Sequence, residues 1–149
     1  MSNQGATITN QGNLFTGQDL ILNADKLHLQ GHLQAGRDLI LKAQDTVLIR
    51  DRTNEHFGAV AGRYLTIQGN QLVDIFTLNH PQSGFWSGHN LILRSANPII
   101  GDAHFYAGRD LKIEKLDDTL GNLISPNDPI ILANGNVTLG DYTGASLHI

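Results

Sequence analysis

Ala35-Gly36-Arg37-Asp38-Leu39 returns unchanged as Ala107-Gly108-Arg109-Asp110-Leu111. Near-copies stand at 16–20 (TGQDL), 61–65 (AGRYL) and 87–91 (SGHNL), and a degenerate copy, NGNVTL, at 134–139. An internal repeat constrains the fold more than any other feature, because every copy must find the same surroundings. Aligned on the closing leucine, successive units begin at positions 17, 36, 62, 88, 108 and 134. Those intervals are too unequal for a helical repeat of fixed length and suit a solenoid whose turns carry loops of different size.

Within each unit the pattern alternates. Leu20 and Leu22, Leu39 and Leu41, Leu65 and Ile67, Leu91 and Leu93, Leu111 and Ile113, and Val137 and Leu139 share one side. Ile21, Ile40, Thr66, Ile92, Lys112 and Thr138 share the other. Period two means a strand with one dry face. A single strand of this length cannot bury that face alone, but a parallel stack can, with strands about 4.8 Å apart. The residues between units leave room for two more short strands per turn. Segments 26–29, 46–49, 73–78, 97–100 and 129–132 have the composition for them. The expected fold is therefore all-β: one right-handed parallel β-helix of about six coils over residues 1–149. Leu39, Leu65, Leu91 and Leu111 form an inward column, and residues 1–16 are a partial cap or a first strand. In this reading Gly makes the corner. The Asx position (Asp19, Asp38, Asn90, Asp110, Asn136, with Tyr64 the exception) fixes the turn through local backbone hydrogen bonds.

At these residues the chain resembles a family. AGRDL units followed by a β-strand resemble the haemagglutinin-type repeats of filamentous haemagglutinin-like exoproteins. Segments 65–117 and 120–149 resemble the cyanobacterial members in particular, whereas residues 1–60 match through the short unit alone. The resemblance implies a right-handed β-helix exported by two-partner secretion through an outer-membrane transporter, located outside the cell or at its surface, and serving adhesion. A host or cell-surface glycan or protein is then the implied partner. The Asn-Pro-containing motifs of the family's secretion domain are not matched, so a stem segment is expected. The C-terminal residues, with Leu147 and Ile149 spaced like core positions and no polar cap after them, read as a cut through a longer solenoid able to associate end to end.

Composition narrows the chemistry. Net charge is −4 with no basic block, which argues against a nucleic-acid partner. There are no cysteines, so neither a disulfide framework nor a Cys-based zinc site can form. No apolar run approaches the roughly 20 residues of a membrane-spanning helix, and the polar N-terminus has no signal-peptide pattern. Carboxylates such as Asp19 and Asp38 on adjacent coils could meet the roughly 5–10 Å spacing of glycoside hydrolysis. A turn-stabilising ladder balanced by Arg37, Arg63 and Arg109 explains the same residues. Calcium wants about six to eight oxygens, more than that column offers. His28 and His32 are four apart, but the alternation around them is that of a strand, so both are expected to face solvent. No catalytic residue, metal or cofactor is assigned. Phe85, Trp86, Phe105 and Tyr106 are the candidate binding surface. On a lateral loop they offer faces to sugar rings or a protein partner. The competing possibility is that they pack over the coil or cap the inner stack.

Overall fold

The computed structural model describes residues 6–127 and 129–144. All regular structure there is strand. In chain order the strands are β1 (Thr7–Asn10), β2 (Asn13–Thr16), β3 (Leu20–Leu29), β4 (His32–Ala35), β5 (Leu39–Arg50) and β6 (Gly58–Ala61). There follow β7 (Leu65–Gly69), β8 (Leu72–Phe76), β9 (Gly84–Ser87), β10 (Leu91–Arg94), β11 (Ile99–Asp102) and β12 (His104–Ala107). The last are β13 (Leu111–Glu114), β14 (Leu123–Ser125), β15 (Ile130–Ala133), β16 (Val137–Thr138) and β17 (Tyr142–Gly144).

Every pairing between these strands is parallel, and three ladders result. The first runs through the repeat units: the first half of β3, the first half of β5, then β7, β10, β13 and β16. Its register joins Leu20, Leu39, Leu65, Leu91, Leu111 and Val137, the residues that the repeat alignment superposes. The second holds β1, the second halves of β3 and β5, then β8, β11, β14 and β17. The third holds β2, β4, β6, β9, β12 and β15. The chain visits the ladders cyclically. Because β3 and β5 run continuously through two of them, the first two ladders form one curled sheet. The bend is marked by a register slip: Ala24 faces Ala43, but Lys26 faces Thr46. An extra residue on one strand turns the chain in this way. The architecture is all-β, with parallel strands in curled sheets, consistent with a solenoid-like fold.

The alternation places the core as expected. Leu39, Leu65, Leu91 and Leu111 are fully buried, as are Leu41, Ile67, Leu93 and Ile113. Leu20, Leu22, Val137 and Leu139 pack against this core but are only partly covered. Leu20 and Val137 each have a ladder neighbour on one side only. The third ladder adds a stack of phenyl rings, with Phe57–Phe85 and Phe85–Phe105 centroids 5.2 Å apart. Ala59 is the register partner of Phe85 and is small. Phe57, two positions earlier, supplies the buried ring that meets Phe85.

Three expectations need correction. First, the third ladder is built largely from short strands outside the expected segments (NLFT, HLQA, GAVA, GFWS and HFYA), and the expected 129–132 segment belongs to this ladder through β15. Second, the repeat glycines are not there for an unusual backbone angle. A Cβ on Gly62 would collide with the carbonyl oxygen of Gly36, and one on Gly88 with that of Gly62. Only hydrogen fits where successive corners stack this closely. Third, the Asx side chains bond the next corner rather than their own, as described below. Residues 7–10 and 13–16 are strands, one of the two alternatives for residues 1–16. Leu147 and Ile149 lie outside the described residues.

Candidate functional site

The corner is itself a ladder. The N–H of Arg63 donates to the carbonyl of Arg37 at 2.9 Å, that of His89 to Arg63 at 2.8 Å, and that of Arg109 to His89 at 3.0 Å. Side chains extend the pattern. Asp19 Oδ1 accepts from the Asp38 N–H, Asp38 Oδ1 from Tyr64, Asn90 Oδ1 from Asp110, and Asp110 Oδ1 from Asn136, all between 2.9 and 3.3 Å. Each of these four thus caps the backbone one rung further on. The basic residues follow the same offset: Arg37 pairs with Asp19 at 3.3 Å, and Arg63 pairs through two nitrogens with Asp38 at 3.2 Å. The carboxylates that could have served hydrolysis are therefore engaged by their neighbours. These exposed pairs stabilise little individually. Their consistent offset favours one register.

The third position of each third-ladder strand points outward. Phe15, Gln34, Val60, Trp86, Tyr106 and Leu132 share that row. Trp86 and Tyr106 stack with centroids 5.7 Å apart and planes within 10°. The indole lies across Gly84, where a Cβ would stand only 2.8 Å from ring atoms, and reaches Gly58. Those glycines form its floor. Between Phe15 and Trp86 runs a groove of about 160 Å³ whose walls include Gln34, Val60, His32 and His56. Beyond Tyr106 a larger concavity of about 950 Å³ is bordered by Leu132, Asn134 and Val137.

Of the four aromatics expected on the surface, the structure leaves two outward. Phe85 and Phe105 are buried in the core, because adjacent residues of a strand point to opposite faces. All four sit on strands, β9 and β12, not on a loop. Trp86 and Tyr106 remain half-exposed.

His28 and His32 do not come together; they sit in different ladders, on β3 and β4. Neither is fully exposed. His32 stands instead beside His56, and His56 beside His80, with centroids 4.3 and 5.4 Å apart. Sequence reasoning missed this column. Its signal was present: His32, His56, His80 and His104 recur at one constant interval, close to the repeat length. His104 stands apart from the other three, against Tyr106 at 6.5 Å, and burial lowers its pKa. Among the described residues no three His, Asp or Glu side chains are placed to hold a metal ion.

The segment carrying His80 is fixed by the buried Asp51. Its carboxylate accepts from the N–H and side-chain amide of Asn79, the N–H of His80 at 2.8 Å and the hydroxyl of Ser83 at 2.7 Å. Ser83 Oγ in turn accepts from the Phe57 N–H at 2.9 Å. Asp102 repeats the device, taking the hydroxyl of Ser125 and the N–H of Asn127.

Compared with protein-family models, characterised proteins and solved structures, the chain matches none.

Proposed function

We propose that this chain is a non-enzymatic stem segment of a secreted, filamentous haemagglutinin-like exoprotein. In this reading it is a right-handed parallel β-helix of about six coils that carries adhesive parts of its parent away from the cell. The observation that carries the reading is the repeat unit bonded to its own copies, strand and corner alike. A unit of that kind lengthens by adding copies, at about 4.8 Å of axis each, which is what a spacer requires. The use of Asp19 and Asp38 as ladder partners of Arg37 and Arg63 supports a structural role for the charged column. The proposed export route is two-partner secretion through an outer-membrane transporter.

A second reading, a glycan-binding or carbohydrate-active β-helix, is favoured by one observation, the outward Trp86–Tyr106 pair beside a concavity. Two experiments separate the readings. Antibodies against this chain, used on fractionated producing cells, should find it outside the cell within a larger polypeptide, and lose it there when the transporter is deleted. Antigen confined to the cytosol would contradict the stem. The purified chain, incubated with a polysaccharide panel, should release no new chain ends. Release abolished by Asp38→Asn would establish the enzyme, and glycan retention abolished by Trp86→Ala would establish the binding module.

A further inference from the structure

The histidine column joins three separate parts of the chain. His32 opens β4, His56 lies near the end of the segment before β6, and His80 lies in the segment before β9. Their contacts are specific. His32 Nε2 lies 2.9 Å from the carbonyl oxygen of His56, to which it donates an N–H. His80 Nδ1 accepts the N–H of Gln82 at 3.0 Å, so its neutral form carries hydrogen on Nε2. A proton added to Nδ1 removes that acceptor and sets two N–H groups against each other. The rings themselves stand one above another. Two imidazolium charges that close repel, and the partly buried setting screens them less than bulk water would.

Two carboxylates, Glu55 and Asp51, lie near the column. Glu55 adjoins His56 but is shared with Arg52, 3.7 Å away. Arg52 also donates to Gln30. Asp51 is buried and keeps its negative charge, but its oxygens are hydrogen-bonded to Asn79, Ser83 and the backbone N–H of His80 rather than to an imidazole. The groove beside His32 and His56 is otherwise lined by uncharged residues, among them Phe15, Gln34, Val60 and Trp86.

We propose that His32, His56 and His80 form a proton-operated latch, which holds segment 51–57 against β4 and segment 77–83 against segment 51–57 while the imidazoles are neutral, and loosens them when more than one is charged. Burial, and then the flanking His32 and His80, hold the His56 pKa below its ordinary 6.5, with Glu55 opposing. A histidine whose pKa falls on folding takes its proton more readily in the unfolded chain. The stabilisation is therefore complete above the free-histidine value and is lost as pH falls through the lower folded value. Asp51 anchors the second segment independently, so the expected response is local loosening rather than global unfolding.

NMR titration of the histidine rings in the intact chain tests this. The His56 midpoint should lie below that of free histidine, and should move up in His32→Gln and again in His80→Gln. His104, lowered by burial alone, should not move in either variant. Amide exchange at residues 52–57 and 78–82, corrected for its intrinsic pH dependence, should quicken by roughly threefold or more on acidification, and not in His56→Gln. A His56 midpoint at or above the free value in the wild-type chain would overturn the latch, whatever the variants do. So would acid-induced loosening that persists unchanged in His56→Gln.

Discussion

At the residue scale, position within the stack decides what a side chain is worth. Leu91 has ladder partners in Leu65 and Leu111 and no solvent exposure. Leu91→Ala should cost about 2–5 kcal/mol through lost burial and the cavity left behind; urea unfolding measures it, and a neutral result would reverse the in/out assignment. The glycines allow a sharper contrast. A methyl group at Gly88 meets the carbonyl of Gly62, whereas one at Gly17 meets nothing within 4 Å. Gly88→Ala should therefore destabilise by about 1–3 kcal/mol, as overpacking does. Gly17→Ala should be neutral or slightly stabilising. Equal losses at both sites would return the glycines to a turn-forming role. Sequence alone showed that glycine recurs. It could not show why, because close approach is a relation between corners a whole coil apart.

At the element scale, the corners and the two aspartate clamps hold the strands in register. Asp38 performs two tasks: it accepts from the Tyr64 N–H and pairs with Arg63. Asp38→Asn keeps the acceptor and loses an exposed ion pair, which should cost no more than about 1 kcal/mol. Asp38→Ala loses both and should cost roughly 1–3 kcal/mol. If the two variants unfold alike, the charge rather than the backbone bond matters. Asp51 lies deeper. Asp51→Ala strands the donors of Asn79, His80 and Ser83 and should cost about 2–4 kcal/mol, with exchange quickening first across 77–83. The repeat strands were legible because their leucines alternate over a fixed turn signature. The third ladder was less so. Its strands are short and mix Gly, His, Gln and Ser, so neither propensity nor period marks them. That is also why Phe85 reads as surface in the sequence: its neighbour Trp86 is outward, and only the strand assignment separates the two.

At the scale of the whole molecule, distance should follow rungs and not chain length. The shorter stretch from Leu20 to Leu39 and the longer one from Leu39 to Leu65 are each one ladder step. The inward leucines were readable in the sequence and the histidine column left a constant interval there, while the stacking of Trp86 on Tyr106 emerges only once loops of unequal length are placed on the ladders. The absence of native cysteine makes the decisive measurement clean. Ile21, Ile92, Lys112 and Thr138 lie in the outward row of the first ladder, so a nitroxide can be attached in pairs without touching the core. From Ile21→Cys, partners at Ile92→Cys, Lys112→Cys and Thr138→Cys lie three, four and five rungs away. Backbone separations of about 14, about 19 and about 24 Å are expected, in equal steps of about 4.8 Å. Pulsed electron-spin distances should reproduce that series, with the same increment from 92 to 112 as from 112 to 138. Increments that scale with the unequal lengths of chain between those positions, or a broad distribution that ignores rung number, would contradict the stacked-repeat account.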